Sequence, residues 1–134
     1  MGERVSDRNA MVAQMSPRLD DQPYCFLIIT PDIAPTALGA AIGTFREDEG
    51  VTAIVPEVTA RELGDESPAF ARITLQVNSD LEGVGLTAAV SGALAEAGIA
   101  CNMVAAFHHD HAFVPLARAE EALVTLQLLQ SSTA

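Results

Sequence analysis

All three histidines of the chain lie in one short segment, residues 107–115 with the sequence FHHDHAFVP. His109 and His111 would point to the same side of a strand, because side chains alternate along it. With Asp110, or with a donor from a second chain, they could hold a zinc-like ion, which takes nitrogen and oxygen ligands. The two cysteines are poorly placed to complete such a site, because each lies inside an apolar run. A metal site here would therefore need donors from a symmetry-related copy.

The same segment has a simpler interpretation as the tip of a hairpin. Asp110 suits a tight turn between two strands, and Phe107 and Phe113 would anchor the hairpin in the core. A third hypothesis is that the polar side chains of the tip contact a ligand or a dimer partner; these are His108, His109, Asp110 and His111. The plain hairpin fits the residues best, so we predict neither a bound metal nor a cofactor.

A second segment, residues 78–85 with the sequence NSDLEGVG, offers binding chemistry between a predicted strand and a predicted helix. Its glycines allow a ligand to approach the backbone, and the amide groups at the start of a helix suit a carboxylate. Asn78 or Asp80 could bind an ammonium group at the other end, so that a zwitterionic amino acid would satisfy both ends. The alternative is that Asp80 only caps the helix and the glycines only form a tight turn.

The strand that follows this helix begins with Cys101 and Asn102, which could line the same cleft. The candidate ligand-binding residues are therefore those of the loop and of this strand start: Asn78, Ser79, Asp80, Leu81, Gly83, Val84, Gly85, Cys101 and Asn102.

The composition excludes several classes of function. The formal net charge is −11, and all seven basic residues are arginines. Such an acidic surface repels phosphate backbones and anionic lipids, so we predict no nucleic-acid partner and no membrane partner. No apolar run is long enough for a signal peptide or a membrane span, which indicates a cytoplasmic protein. No nucleophile elbow or phosphate-binding loop is present, so we do not predict an enzyme.

The elements that must position these residues follow from apolar runs and breakers. Residues 1–22 are polar and predict a flexible N-terminal tail. Residues 24–29, YCFLII, predict a buried strand, followed by a helix over residues 35–48 that Gly50 would end. After a second strand and a linker over residues 61–69, the pattern begins again, with predicted strands at 71–77, 99–106 and 112–114 and predicted helices at 83–97 and 116–129.

The two halves align without a gap at a constant offset of 48 residues. Asp32 then matches Asp80, and Gly50 matches Gly98, with apolar positions agreeing in between. This register indicates an internal duplication. The corresponding loop of the first copy, residues 30–35 with the sequence TPDIAP, has prolines in place of glycines, so we expect the first loop to be structural.

The second copy has the order β-α-β-β-α, which is the ferredoxin-like pattern without its last strand. Residues 70–129 resemble the ACT-like domain, most specifically in LEGVGLTAAV (81–90), AGIACNMVA (97–105) and HDHAFVP (109–115). Residues 23–129 as a whole resemble a small bacterial family of tandem ACT-like proteins without an assigned function. The resemblance implies a regulatory or sensory role, an amino acid or similar metabolite bound at the equivalent loop, and a homodimer.

We therefore predict an α+β, ferredoxin-like (ACT-like) fold: a partial βαβ repeat in residues 23–60 fused to a βαββα unit in residues 70–130, with antiparallel sheets and helices on one face. The predicted function is that of a sensor that binds a small metabolite, with an amino acid as the first expectation. Two alternatives stay open, a metal-binding protein or small enzyme centred on the histidine tip, and a ligand-free scaffold for another protein.

Overall fold

The computed structural model describes residues 6–133 of the chain. Their helices and strands follow one another along the chain as α1 (Arg8–Ala13), β1 (Arg18–Ile28), α2 (Ala34–Ala40), β2 (Gly43–Glu47), β3 (Gly50–Pro56), α3 (Glu57–Glu62), β4 (Phe70–Leu75), α4 (Leu86–Glu96), β5 (Asn102–Ala105), β6 (Asp110–Pro115) and α5 (Ala119–Thr133). None of these helices combines the length and the apolar character that a membrane crossing demands.

The chain divides into two compact units. Residues 21–70 form one of them, which we call the continuous unit. The described residues up to Asp20 and from Ala71 onward form the other, which we call the discontinuous unit. The second unit therefore takes its residues from both sides of the first along the chain.

The continuous unit is a small antiparallel sheet with helices against one side. Strand β3 lies between β1 and β2, with Leu27 paired to Ala53 and Phe45 paired to Thr52. Helix α2 begins with a proline in its first turn, where the missing amide proton costs no hydrogen bond. The core of this unit is formed by small and branched side chains: Cys25, Leu27, Ala37, Ala53, Val55 and Ala60.

The discontinuous unit has β6 between β4 and β5, with Ala105 paired to Asp110 and Asn102 paired to Phe113. Helix α4 buries Leu86, Val90 and Leu94, which are spaced by four residues and so share one face. The buried residues of its core are Met11, Val12, Met15, Ala71, Ile73, Leu75, Val77, Leu86, Val90, Leu94, Ile99, Ala112, Val114, Ala119, Ala122 and Leu126.

Both units share one order of elements. The continuous unit runs β1-α2-β2-β3-α3 and the discontinuous unit repeats it as β4-α4-β5-β6-α5. The antiparallel α+β, ferredoxin-like fold and the tandem repeat are therefore confirmed. The first repeat is more complete than the partial βαβ unit that the sequence predicts, because it has a second hairpin strand and a closing helix of its own.

The N-terminal segment differs from the flexible tail predicted for residues 1–22; the part over residues 1–5 lies outside the described residues. From Arg8 to Ala13 the chain is helical, and Asp7 caps this helix by accepting a hydrogen bond from the amide of Ala10. Met11, Val12 and Met15 are at most 1% exposed and belong to the core. A helix of six residues is too short to show periodicity in the sequence, but its apolar face is buried against other helices.

The helix predicted over residues 35–48 is also corrected. It ends at Ala40, and the chain then forms the β2–β3 hairpin across residues 48–49. Gly50 opens β3 with φ of +145° and does not end a helix. Phe45 and its neighbours on β2 are exposed, so no alternation of buried and exposed positions marks this strand. As a result, β3 corresponds to β6 in the structure. The constant offset of 48 residues between the two halves therefore no longer aligns equivalent positions beyond the first loop.

Candidate functional site

A cleft with a volume of about 120 Å³ lies within the discontinuous unit, where the loop of residues 78–85 leads into α4. Its wall combines α1, this loop, the start of α4 and the two strands that flank the histidine tip. The lining residues are Met11, Ser79, Asp80, Leu81, Gly83, Gly85, Leu86, Thr87, Ala105 and Asp110. Five of the nine loop and strand candidates from the sequence are thus in the wall, together with Asp110 from the tip.

The conformation of the loop is held by short-range hydrogen bonds. The carboxylate Oδ1 of Asp80 accepts from the amide of Glu82 at 3.0 Å, and the carbonyl of Asp80 accepts from the amide of Gly83 at 2.9 Å. Side chains of aspartate commonly form such turns with the amide two residues later. Asp80 therefore shapes the loop itself.

The start of α4 lacks the side-chain cap that the alternative interpretation of this loop requires. The N-cap residue is Gly85, with φ of +107°, and the helix has no side-chain cap. The first amide groups of a helix have no partner within the helix, and Leu86 and Thr87 at this position line the cleft. The structure therefore contradicts the alternative in which Asp80 caps the helix.

The two glycines of the loop lie against the chain's own N-terminal segment. A Cβ on Gly83 would lie 3.2 Å from the sulfur of Met11, and a Cβ on Gly85 would lie 2.8 Å from Cγ of Arg8. The glycines thus allow α1 to approach the loop, in addition to any approach by a ligand. Sequence reasoning missed Met11, because a helix of six residues is too short to show periodicity and an apolar side chain does not by itself indicate a binding site.

Asp110 is the most deeply buried acid of the cleft, at 8% exposed. Its Oδ2 accepts a hydrogen bond from the hydroxyl of Ser79 at 3.2 Å, and Ser79 is itself 7% exposed. Burial raises the pKa of the Asp110 carboxyl, while the Ser79 hydrogen bond and the charge of His109 act in the opposite direction. The turn position predicted for Asp110 is wrong, because this residue opens β6 opposite Ala105.

The remaining residues of the histidine tip contact one another through their rings but do not line the cleft; His108 and His109 have ring centroids 6.3 Å apart. His108 is exposed, with its ring edge-on to Phe107 at a centroid distance of 5.0 Å. Phe113 is buried in the way the sequence predicts, but Phe107 is 57% exposed and does not anchor the hairpin. Within residues 6–133, no group of three or more His, Cys, Asp or Glu side chains is gathered as a metal ion would require.

Four of the nine loop and strand candidates lie outside the wall of the cleft: Asn78, Val84, Cys101 and Asn102. Cys101 packs against the core of the discontinuous unit, and burial raises the pKa of its thiol. Asn102 begins β5, whereas Ala105 at the other end of that strand is the residue that lines the cleft. Val84 projects into solvent, being 79% exposed.

His111 is positioned by β6 beside a buried hydroxyl. Its Nδ1 lies 3.0 Å from Oγ1 of Thr74, which is 6% exposed. Burial lowers the pKa of the imidazole, and the positive charges of Arg72, His109 and Arg18 lower it further. Arg72 is itself paired with Asp20.

We expect this neutral histidine to make the stability of the protein depend on pH. Because the unfolded chain binds the proton of His111 at a higher pH than the folded chain, the free energy of unfolding should decrease as the pH falls below about 6.5. Urea denaturation between about pH 5 and pH 8 measures this dependence. His111→Gln should reduce the slope, and the exposed-site change His108→Gln should keep it. A His111 imidazole that titrates at or above the usual histidine value would contradict the prediction.

Comparison with known proteins places the chain in a family. Two family models described as ACT domain match it, over residues 5–72 and over residues 70–127. A protein of unknown function from Vibrio cholerae, described as a possible transport protein, has 41% sequence identity and a TM-score of 0.78, and the match covers 87% of this chain and 91% of that one. No curated protein matches the sequence.

Two more distant structures share the fold. A protein from Agrobacterium tumefaciens is 17% identical with a TM-score of 0.69, over 85% of this chain and 87% of its own. The ligand-free regulatory subunit of aspartate kinase from Thermus thermophilus is 15% identical with a TM-score of 0.63, over 87% of this chain and 97% of its own. With an ACT-domain match on each half and the same element order in both units, the chain belongs to the ACT-domain family as a tandem of two ACT domains.

Proposed function

We propose that the protein is a regulatory sensor that binds an amino acid in the cleft of the discontinuous unit. The observation that carries the proposal is the composition of the cleft wall. The start of α4 has no side-chain cap and offers amide groups, while Asp80 and Asp110 place carboxylates in the same wall. A zwitterionic amino acid has a carboxylate for the helix start and an ammonium group for the carboxylates of the wall, because helix starts favour anions and carboxylates favour cations.

The family supports the same role. The regulatory subunit of aspartate kinase from Thermus thermophilus shares the fold over most of both chains, and regulation by a bound metabolite needs no catalytic group in the ACT units themselves. The acidic surface, with its net charge of −11, favours a small ligand or another protein as the partner over nucleic acid or an anionic membrane.

The surroundings of the cleft also favour a homodimer as the working form. Leu81, which lines the cleft, is 61% exposed, and Val84 in the same loop is 79% exposed. Apolar side chains exposed this far at the mouth of a site are typical of a surface that a partner covers. A second copy over this loop would bury both and would enclose the ligand.

A thermal-shift screen of the common amino acids tests the proposal. Binding to the folded state alone stabilises it by RT ln(1 + [L]/Kd), about 2.7 kcal/mol at a hundredfold excess over Kd. We therefore expect one or a few amino acids to raise the melting temperature by several degrees. Ala105→Leu should abolish the rise, because the added carbons fill the cleft that Ala105 lines.

The matched control is Ala106→Leu, which places the same side chain at the neighbouring exposed position outside the wall. It should leave the thermal shift unchanged. A screen in which no amino acid raises the melting temperature, or an Ala105→Leu variant that still responds, would refute the proposal. If the wild type then co-purifies with another protein, the scaffold hypothesis takes its place.

A further inference from the structure

In addition to the amide groups at the start of α4, the wall of the cleft contains a buried acidic side chain. Strand pairing places Asp110 in the wall, because Ala105 and Asp110 are paired across the β5–β6 hairpin. The hydroxyl of Ser79 fixes one carboxylate oxygen at 3.2 Å. An ionised carboxylate has two acceptor oxygens with several lone pairs, so Asp110 can accept further hydrogen bonds from a ligand in the cleft.

The charged groups around Asp110 are compatible with a bound cation at its carboxylate. The loop contributes Asp80, which adds negative charge, and the turn contributes His109, which acts on Asp110 as a positive charge. Helix α1 contributes Arg8, whose Nη1 donates to Oδ1 of Asn9 at 3.0 Å and whose stem lies over Gly85. A buried carboxylate is costly unless a cation or strong donors meet it, and a ligand ammonium group would supply both.

The volume of the cleft limits the rest of the ligand. At about 120 Å³ it is somewhat smaller than the engineered cavity of about 150 Å³ that accommodates benzene, a molecule of about six heavy atoms. It is also well below the pockets that enclose drug-sized molecules. The cleft therefore fits an α-amino acid with little or no side chain, such as glycine, alanine or serine.

We infer that Asp110, oriented by Ser79, binds the ammonium group of a small α-amino acid whose carboxylate meets the start of α4. This inference rests on the proposed function and assigns to it a cation anchor and a ligand size. Asp110 comes from β6, a different part of the chain from the loop of residues 78–85, so the site recognises the two ends of the ligand with two separate elements. The ligand then bridges the β5–β6 hairpin to helix α4.

Isothermal titration calorimetry of the full chain with glycine, alanine and serine tests the inference, with propionate as an alanine analogue that lacks the amine and leucine as a larger amino acid. Alanine should bind at least about tenfold more tightly than propionate, since a hydrogen bond to a charged group is worth about one to two powers of ten in Kd. Leucine should bind more weakly than the three small amino acids.

Asp110→Asn keeps the shape and a partner for the Ser79 hydroxyl but removes the charge. It should weaken alanine binding about 10- to 100-fold and remove the preference over propionate. The control is Asp48→Asn, which makes the same change at an exposed turn of the continuous unit and should keep the wild-type affinity. Because burial raises the pKa of Asp110, the neutral variant should melt no lower than the wild type at pH 7 without ligand.

Ser79→Ala is the second variant, for the case in which Asp110→Asn does not fold. It leaves the charge in place but removes its orientation, so it should weaken binding less than the loss of the carboxylate, and the preference for alanine over propionate should remain. Unchanged alanine binding by Asp110→Asn overturns the anchor, and tighter binding of leucine than of alanine overturns the size limit, while both leave the proposed sensor intact. No binding of any amino acid by the wild type overturns the sensor and the anchor together.

Discussion

Replacing Met15 by alanine should lower the free energy of unfolding of the discontinuous unit by about 2–5 kcal/mol, the usual cost of truncating a large buried side chain. Met15 is 0% exposed and belongs to the same core as Ile73 and Leu94. Its carbonyl accepts a hydrogen bond from the amide of Gln76 at the end of β4. The N-terminal segment is thus bound through both its backbone and its apolar side chains.

Urea denaturation followed by circular dichroism measures the change. The control is Leu128→Ala on α5, at a position that is 65% exposed, where we expect a change within about 0.5 kcal/mol. Equal effects of the two substitutions would mean that the N-terminal segment behaves as the flexible tail that the sequence predicts, and not as part of the core.

Replacing Gly85 by alanine should destabilise the protein by about 1–3 kcal/mol through backbone strain alone, because φ of +107° is a conformation that side chains with a Cβ rarely adopt. The added Cβ would also lie 2.8 Å from Cγ and 2.9 Å from Cδ of Arg8. Either Arg8 and helix α1 move away from the loop, or the start of α4 changes its path. Both changes alter the cleft, so the variant should also lose its response to amino acids in the thermal-shift screen.

Gly92→Ala is the matched control on the same helix. A Cβ at Gly92 meets nothing within 4 Å, and alanine is favoured over glycine within a helix by about 0.5–1 kcal/mol, so this variant should be more stable than the wild type. Adding Arg8→Ala to Gly85→Ala should recover the steric part of the loss but not the backbone part. A Gly85→Ala protein as stable as Gly92→Ala would show that the loop does not need a left-handed residue.

The strands that contain buried residues could be predicted from the sequence because their burial leaves apolar runs. The run at residues 24–29 belongs to β1, and α4 is bounded by Gly85 and Gly98, which adopt φ of +107° and +73°. The β2 strand could not be predicted, because it exposes four of its five residues, and the alanines before it favour a helix. Helix α1 could not be predicted because its contacts, rather than its propensity, make it part of the core.

The candidate site was predictable where it is contiguous in sequence and not where distant segments meet. The loop of residues 78–85 has the glycines and polar side chains that mark it as a binding loop, and most of it lines the cleft. Met11 and Ala105 have no polar chemistry, so nothing in their type indicates a site. Asp110 was a candidate both as a turn residue and as a possible ligand or interface residue of the histidine tip; its place in the cleft wall follows from the register of β5 and β6.

The contact between α1 and α5 has a consequence for how a newly made chain acquires its structure. The side-chain amide of Gln130 donates to the carbonyl of Ala13 across a sequence separation of 117 residues, and it accepts from the amide of Ser16. At ribosomal speeds this separation corresponds to on the order of ten seconds of translation. Residues 21–70 are synthesised long before then, so the first ACT domain can fold before α5 is available to cover the apolar face of α1. During that interval, we expect the apolar face of α1 to be accessible to chaperones and to other chains.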